Sequence, residues 1–149
     1  MTDEKKIAIG ADHAGFELKE KMKNSLIELG YETQDFGTNS TDSVDYPLIA
    51  KSLANAVSSK NPKRGILICG TGIGMSIAAN KVKGIIAAHC YDIETAKLSR
   101  LHNNSNILTI GGRTTEPELA KKIIKVWLET DFEGGRHQRR VQEIRDLER

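Results

Sequence analysis

Gly65-Ile66-Leu67-Ile68-Cys69-Gly70-Thr71-Gly72-Ile73-Gly74 is an apolar run that stops at a glycine turn, and the turn runs straight into the helix-like stretch Met75 to Lys81. A short apolar run bounded by glycine reads as a buried strand, and strand, tight turn, helix is the repeating unit of a parallel α/β sheet. Glycines let the backbone approach an anion without a Cβ in the way, and a helix N-terminus adds free N–H groups and about half a positive charge. A thiol in such a place is expected to ionise more readily than a free cysteine, whose pKa is about 8.5. Cys69 is therefore a candidate base lying within one turn of an oxyanion cradle.

Outward from this unit the pattern repeats. Lys6 to Gly10, Tyr31 to Phe36, Gly84 to Cys90 and Asn106 to Gly111 read as further strands. Between them Leu18, Met22, Leu26 and Leu29, then Ile49, Leu53 and Val57, then Leu119, Ile123 and Trp127 recur at helical spacing, so each helix has one face to bury. Alternating strands and helices imply parallel pairing with right-handed crossovers and helices on both faces of the sheet. Alternation alone favours the strand order 2-1-3-4-5. Polar clusters follow four of the strands: Asp12-His13, Gly37 to Asp45, Cys69 to Gly74, and Gly112-Arg113. Ligands of such sheets bind outside the carboxyl ends of the strands, so these clusters are expected to converge.

With 149 residues and a net charge of +2, residues 1–149 read as one domain with no bulk charge that demands nucleic acid. No run of about 18 apolar residues suggests a membrane span, and Met1 to Gly10 lacks a cleavage-like pattern. The two cysteines, Cys69 and Cys90, fall in or just after strand-like runs, which favours free thiols in a reducing cytoplasm. Gly134-Gly135 breaks the chain before a last helix, 137–149, with Val141, Ile144 and Leu147 on one side. That apolar stripe suits an arm that docks on a second subunit. Arg136 and Arg140 share another face and suit a phosphate, although a solvated or RNA-binding basic helix has the same pattern.

Each candidate has a plainer reading. The glycine turn matches neither the dinucleotide fingerprint, which needs glycine where Met75 stands, nor a P-loop, while Asp92 keeps a nucleotide module open as an alternative. Asp12 is also placed to cap the helix that starts near Gly15, and His102 is also a helix C-terminal cation. His89 and Cys90 read as core residues. Asp12, His13, His89, His102 and His137 have no metal-ligand spacing, so no metal site is expected.

Asp12-His13-Ala14-Gly15, Val44-Asp45-Tyr46-Pro47, the Cys69 to Gly74 turn with Ala78-Ala79-Asn80-Lys81, Leu98-Ser99-Arg100 with His102-Asn103, and Glu133-Gly134-Gly135-Arg136-His137 together resemble the B-type ribose-5-phosphate isomerases, from the first strand to the last helix. The resemblance implies a three-layer α/β/α fold with a five-stranded parallel sheet ordered 2-1-3-5-4, and a homodimer, often paired into tetramers, with active sites at the subunit interface. It also implies interconversion of ribose 5-phosphate and ribulose 5-phosphate through an enediolate, without metal or organic cofactor, in the non-oxidative pentose phosphate pathway. Cys69 would be the base, with Thr71 and the amides of Gly70, Gly72 and Gly74 holding the oxyanion. Asp12 and His102 would open the sugar ring, and Tyr46 and Asn103 would position the sugar. His13, Arg113, Arg136 and Arg140 would hold the phosphate, the last two reaching over from the partner. A subgroup that uses glutamate as base carries it where this chain has Met75, which leaves the proton to Cys69. The rivals are an isomerase of a six-carbon phosphate such as allose 6-phosphate or galactose 6-phosphate, and a non-catalytic nucleotide or sugar-phosphate sensor.

Overall fold

The computed structural model describes residues 3–148. Five parallel strands, β1 (Lys6–Ala11), β2 (Glu32–Asp35), β3 (Gly65–Cys69), β4 (Ala87–His89) and β5 (Ile107–Gly111), form one sheet in the order β2-β1-β3-β5-β4. This is the order implied by the family resemblance, and it replaces the simple 2-1-3-4-5 order that alternation alone suggests. The helices are α1 (Phe16–Glu28), α2 (Tyr46–Ser58), α3 (Ile73–Ala79), α4 (Ile93–Leu101), α5 (Pro117–Glu129) and α6 (Arg136–Asp146).

Two cores flank the sheet because successive strand side chains point to opposite faces. Ile7, Ile9, Ile66, Ile68, Leu108 and Ile110 pack against Met22 and Leu26 of α1 and Ile123 and Trp127 of α5. Ala8, Leu67, Cys69 and Ile107 face Leu53 and Val57 of α2 and Met75 and Ala79 of α3. The three central strands are thus buried on both sides, which is why they read as continuous apolar runs. Cys69 takes its direction from this parity: it ends β3 on the α2/α3 side.

Several details differ from the sequence reading. The α3 helix begins at Ile73, because Gly72, at φ +83°, already turns the chain as its N-cap. Edge strand β4 keeps only three of the residues Gly84 to Cys90. Its outer edge is closed by Asn80, whose amide donates to the Ala87 carbonyl (2.9 Å) and whose carbonyl accepts from the Ala87 N–H (2.8 Å), so the ladder ends in a side chain. In α6 only part of the expected stripe is covered: Val141 is buried, whereas Ile144 and Leu147 are exposed. Residue 149 lies outside the described residues. No helix among them is long and apolar enough to cross a membrane.

Candidate functional site

At the carboxyl end of the sheet a cavity of about 470 Å³ opens between the ends of β1 and β3 and the first turns of α2 and α3. Asp12, Tyr46, Cys69, Gly70, Thr71 and Gly74 line it. The Cys69 sulfur lies within hydrogen-bonding reach of the Gly72 N–H at 3.2 Å, and the Thr71 hydroxyl accepts from the Ile73 N–H, also at 3.2 Å. Left-handed backbone at Gly72 aims that N–H at the sulfur, and the His89 ring fills the space a Cβ would need there. Gly74 has a similar reason: the Tyr46 ring lies where its Cβ would be, so glycine lets the phenol fold over α3.

Asp12 does what its plainer reading expects and more. Its Oδ1 accepts from the Ala14 and Gly15 N–H groups (3.0 and 3.1 Å), which fixes the turn into α1 while the carboxyl group still borders the cavity. His13 accepts at Nδ1 from the Val44 N–H (3.2 Å), an arrangement that puts the proton of the neutral ring on Nε2 and ties the 37–45 loop to β1. The Arg113 backbone N–H donates to the Gly70 carbonyl (3.0 Å), and the Arg113 side chain lies beside Gly70. The expected convergence of the four polar clusters is thus met.

The other candidates stand elsewhere. His102 caps the C-terminus of α4, a helix that has run back toward the amino ends of the strands. The register makes the separation concrete: Gly65 pairs with Ile107 and Cys69 with Gly111, and the Asn106 carbonyl receives the Gly65 N–H. The 102–106 loop therefore meets β3 at its first residue, while Cys69 is its last, roughly 13 Å further along at about 3.3 Å per residue. Asn103 is exposed on that loop. The Glu133 N–H donates to the Leu101 carbonyl, bringing the start of α6 alongside. There the His137 ring stacks on His102, with centroids 4.2 Å apart and planes 17° from parallel, and Arg136 approaches His137 Nε2 at 3.5 Å. Within one chain, then, Asp12 and His102 do not meet, nor do Arg113 and the pair Arg136 and Arg140.

His137 closes the Glu133 to His137 stretch that carries the resemblance, and the sequence assigns it no chemical role. Desolvation, then the positive charges of His102, Arg136 and Arg140, push its imidazole below the usual range, against an opposing pull from Glu133. His102, Glu133 and His137 offer ligand atoms within 4.8 Å of one another, a grouping the expectation of no metal-ligand spacing does not cover. Glu133 and His137 are four residues apart on one turn, but His102 lies 31 residues before Glu133, so a spacing test limited to the histidines and Asp12 does not join the three. Ring-nitrogen lone pairs lie in the ring planes, and in stacked rings they run side by side instead of meeting at a point; the cluster is shaped as a stack, with Arg136 at its edge. Asp92, the residue that kept a nucleotide module open, is taken up as the N-cap of α4, its Oδ1 accepting from the Thr95 N–H at 2.7 Å. The two cysteines are free and buried, and Cys90, pushed up by desolvation, belongs to the core as expected.

Comparison with known proteins gives this arrangement a context. Residues 7–144 match the family model described as Ribose/Galactose Isomerase. Ribose-5-phosphate isomerase B of Escherichia coli is 50% identical over 144 residues, covering 97% of each chain. D-erythrulose-4-phosphate isomerase of Pectobacterium atrosepticum is 45% identical over 139 residues, with 93% of this chain and 91% of that one covered. Among solved structures, ribose-5-phosphate isomerase B from Mycoplasma genitalium with bound ribulose-5-phosphate superposes with a TM-score of 0.91 at 41% identity, covering 95% of this chain and 94% of that one.

Proposed function

The chain belongs to the ribose/galactose isomerase family, and from that premise we propose that it interconverts D-ribose 5-phosphate and D-ribulose 5-phosphate through an enediolate, as a cytoplasmic enzyme of the non-oxidative pentose phosphate pathway. The observation that carries the reading is the cavity itself. A cysteine sulfur, a carboxyl group, a phenol and a glycine turn leading into a helix border one space of about 470 Å³, and proton transfer next to a carbonyl needs a base and an oxyanion cradle side by side.

The reaction needs the ring opened first. Asp12 and His102 are the pair assigned to this, one taking the proton of the anomeric hydroxyl and the other giving one to the ring oxygen. Because the two stand at opposite ends of the sheet, the reading requires a second copy of the chain, whose His102 end closes over the Cys69 end of the first. The exposed apolar side chains Leu48, Ile73 and Ile77 beside the cavity, and Ile144 and Leu147 on α6, are surfaces such a homodimer covers, and dimers of this kind can pair again into a tetramer. Cys69 then removes the C2 proton and returns it to C1, while the oxygen-bound proton passes from O2 to O1. Thr71 and the Gly70–Gly74 amides hold the charge that develops on oxygen. His13 Nε2, Arg113 and the second copy's Arg136 and Arg140 hold the phosphate, and Tyr46 and Asn103 hold the sugar between. Grip on the remote phosphate is what orients C1 and C2 for the transfer. No step uses a metal or an organic cofactor.

The test is turnover by the purified single chain, treated with chelator, on ribose 5-phosphate alongside allose 6-phosphate and erythrulose 4-phosphate. The expected result is conversion of the five-carbon substrate with the highest kcat/KM. A preference for the six- or four-carbon phosphate would overturn the substrate assignment and leave the chemistry standing.

A further inference from the structure

A second cavity, of about 570 Å³, lies at the amino end of the sheet and takes no part in the isomerase reading. Lys60, Lys63, Arg64, Arg100 and Arg145 line it, and no carboxylate does. None of the five joins an ion pair among the described residues; the ion pairs there use Lys19, Lys23, Lys121, Lys125 and Arg139.

Two of these cations are built in. Arg64 donates from Nη1 to the Leu128 carbonyl (3.0 Å) and from Nη2 to the Glu4 carbonyl (3.4 Å). Arg100 donates from Nε to the Thr130 carbonyl (3.1 Å) and from Nη1 to Asn104 Oδ1 (3.1 Å) and to the Ser105 carbonyl. Their neutral acceptors fix the guanidinium planes without cancelling charge. The carboxylates nearby, Glu4 and Asp131, border an adjoining hollow that shares Lys63, Arg64 and Arg100 with this one, and Glu148 reaches the rim, its Oε1 accepting from the Gly84 N–H at 2.9 Å. Burial and the neighbouring Arg64 charge pull the Arg100 guanidinium downward, against a weaker pull from Asp131.

Helix ends account for part of this charge. The helices α2, α4 and α6 end beside the lining residues Ser58, Arg100 and Arg145, each offering about half a negative charge, so together with Glu148 they offset roughly two to three of the five cations. A surplus of roughly two to three remains, more than one phosphoryl group carries at neutral pH. The volume is that of a small-molecule site, not of an extended groove for a polymer.

We propose that this cavity binds a small anion carrying two phosphoryl groups, at a site separate from that of the sugar phosphate. Calorimetry with pyrophosphate, on the Arg136→Ala/Arg140→Ala chain so that the sugar-phosphate site does not report, tests it without any need for turnover, so a wrong substrate assignment cannot disguise the result. Expected are one pyrophosphate per chain, at least tenfold tighter than inorganic phosphate, and at least a tenfold loss when Lys60→Ala, Lys63→Ala and Arg145→Ala are added. All three are surface or half-buried positions, and an unchanged melting temperature checks the fold of that variant; Lys63→Glu alone should lower affinity further than Lys63→Ala. Absence of saturable binding at low salt, equal affinity for phosphate and pyrophosphate, indifference to these substitutions, or tighter binding of an RNA oligonucleotide than of pyrophosphate would each overturn the proposal.

Discussion

The two ends of the sheet are built on opposite plans. At the carboxyl end, strands finish in tight turns whose N–H groups face a small cavity, and side chains that could react are held by backbone: Asp12 by two N–H groups, His13 by one, Cys69 by the Gly72 N–H. At the amino end α4 finishes and α6 begins, and the side chains gathered around these helix ends are cations and imidazoles. On the proposed reading, each end alone has half of a sugar-phosphate isomerase. The carboxyl end has base, oxyanion cradle and one arginine; the amino end has a histidine and two more arginines. A parallel sheet cannot bring its own two ends together, so the proposed reading needs assembly between chains.

The largest effect that could break this comparison is in complementation. Cys69→Ala should lower turnover by about 10³- to 10⁴-fold, the range of a lost general base, with far-ultraviolet dichroism unchanged. His102→Gln should lose about 10²-fold through ring opening alone. Mixed and allowed to exchange subunits, the two inactive variants should regain about a quarter of wild-type activity, since half of the randomly formed dimers are hybrids with one intact site of two. A site complete within one chain would give no recovery at any mixing ratio.

How far the residues could announce this arrangement depends on which interactions hold it. The carboxyl end is local in sequence: strand, glycine turn and helix follow one another, so Cys69, Thr71 and Gly74 could be placed from periodicity and turn chemistry alone. The strand order could not, because swapping β4 and β5 leaves every apolar pattern intact; only the family resemblance carried it. The His102–His137 stack joins residues 35 apart through the end of α4 and the start of α6, and no local signal marks it. Lys19 is the extreme case. It is not one of the residues Leu18, Met22, Leu26 and Leu29 that give α1 its apolar stripe, yet it is fully buried, because Asp35 (2.8 Å) and the Thr38 carbonyl (2.7 Å) receive its ammonium.

Arg136→Ala and Arg140→Ala give the next effect. Charge-assisted bonds of this kind are worth about 1.5–3 kcal/mol each, so each substitution should raise KM for the sugar phosphate roughly 10- to 100-fold. Arg113→Ala, at the other end of the sheet, should do the same, and a cycle across Arg113 and Arg140 should show coupling only if both hold one phosphate. Additive losses would separate the two ends again. A smaller change tests the carboxyl end by itself. A Cβ at Gly74 would come within 2.6 Å of the Tyr46 ring, so Gly74→Ala should push the partly exposed phenol aside and cost about tenfold in kcat/KM, with little change in melting temperature. In a Tyr46→Ala background the same substitution should cost almost nothing.

The smallest effect on turnover, and the one that separates scaffold from chemistry, lies beside the carboxyl end at Asp35. Burial raises its carboxyl, but hydrogen bonds from Lys19, Lys23 and the Gly37 N–H outweigh that and hold it below the usual carboxylate range. A carboxyl lowered in the folded state stabilises the fold above its unfolded value, and that contribution is lost as pH falls through the folded one. Asp35→Asn should therefore be less stable than the parent near neutrality, by about 1–3 kcal/mol for the charged hydrogen bonds removed. The gap should close as the buffer is taken below the ordinary carboxylate range, where the parent protonates as well. Turnover at neutral pH and moderate temperature should change less than for any substitution above, because Asp35 holds the start of the 37–45 loop through Lys19 and the Gly37 N–H and touches none of the cavity side chains. A gap between the two stability curves that stayed constant down to low pH would mean that the Lys19 ammonium is held by the Thr38 carbonyl and by packing, with Asp35 contributing shape instead of charge.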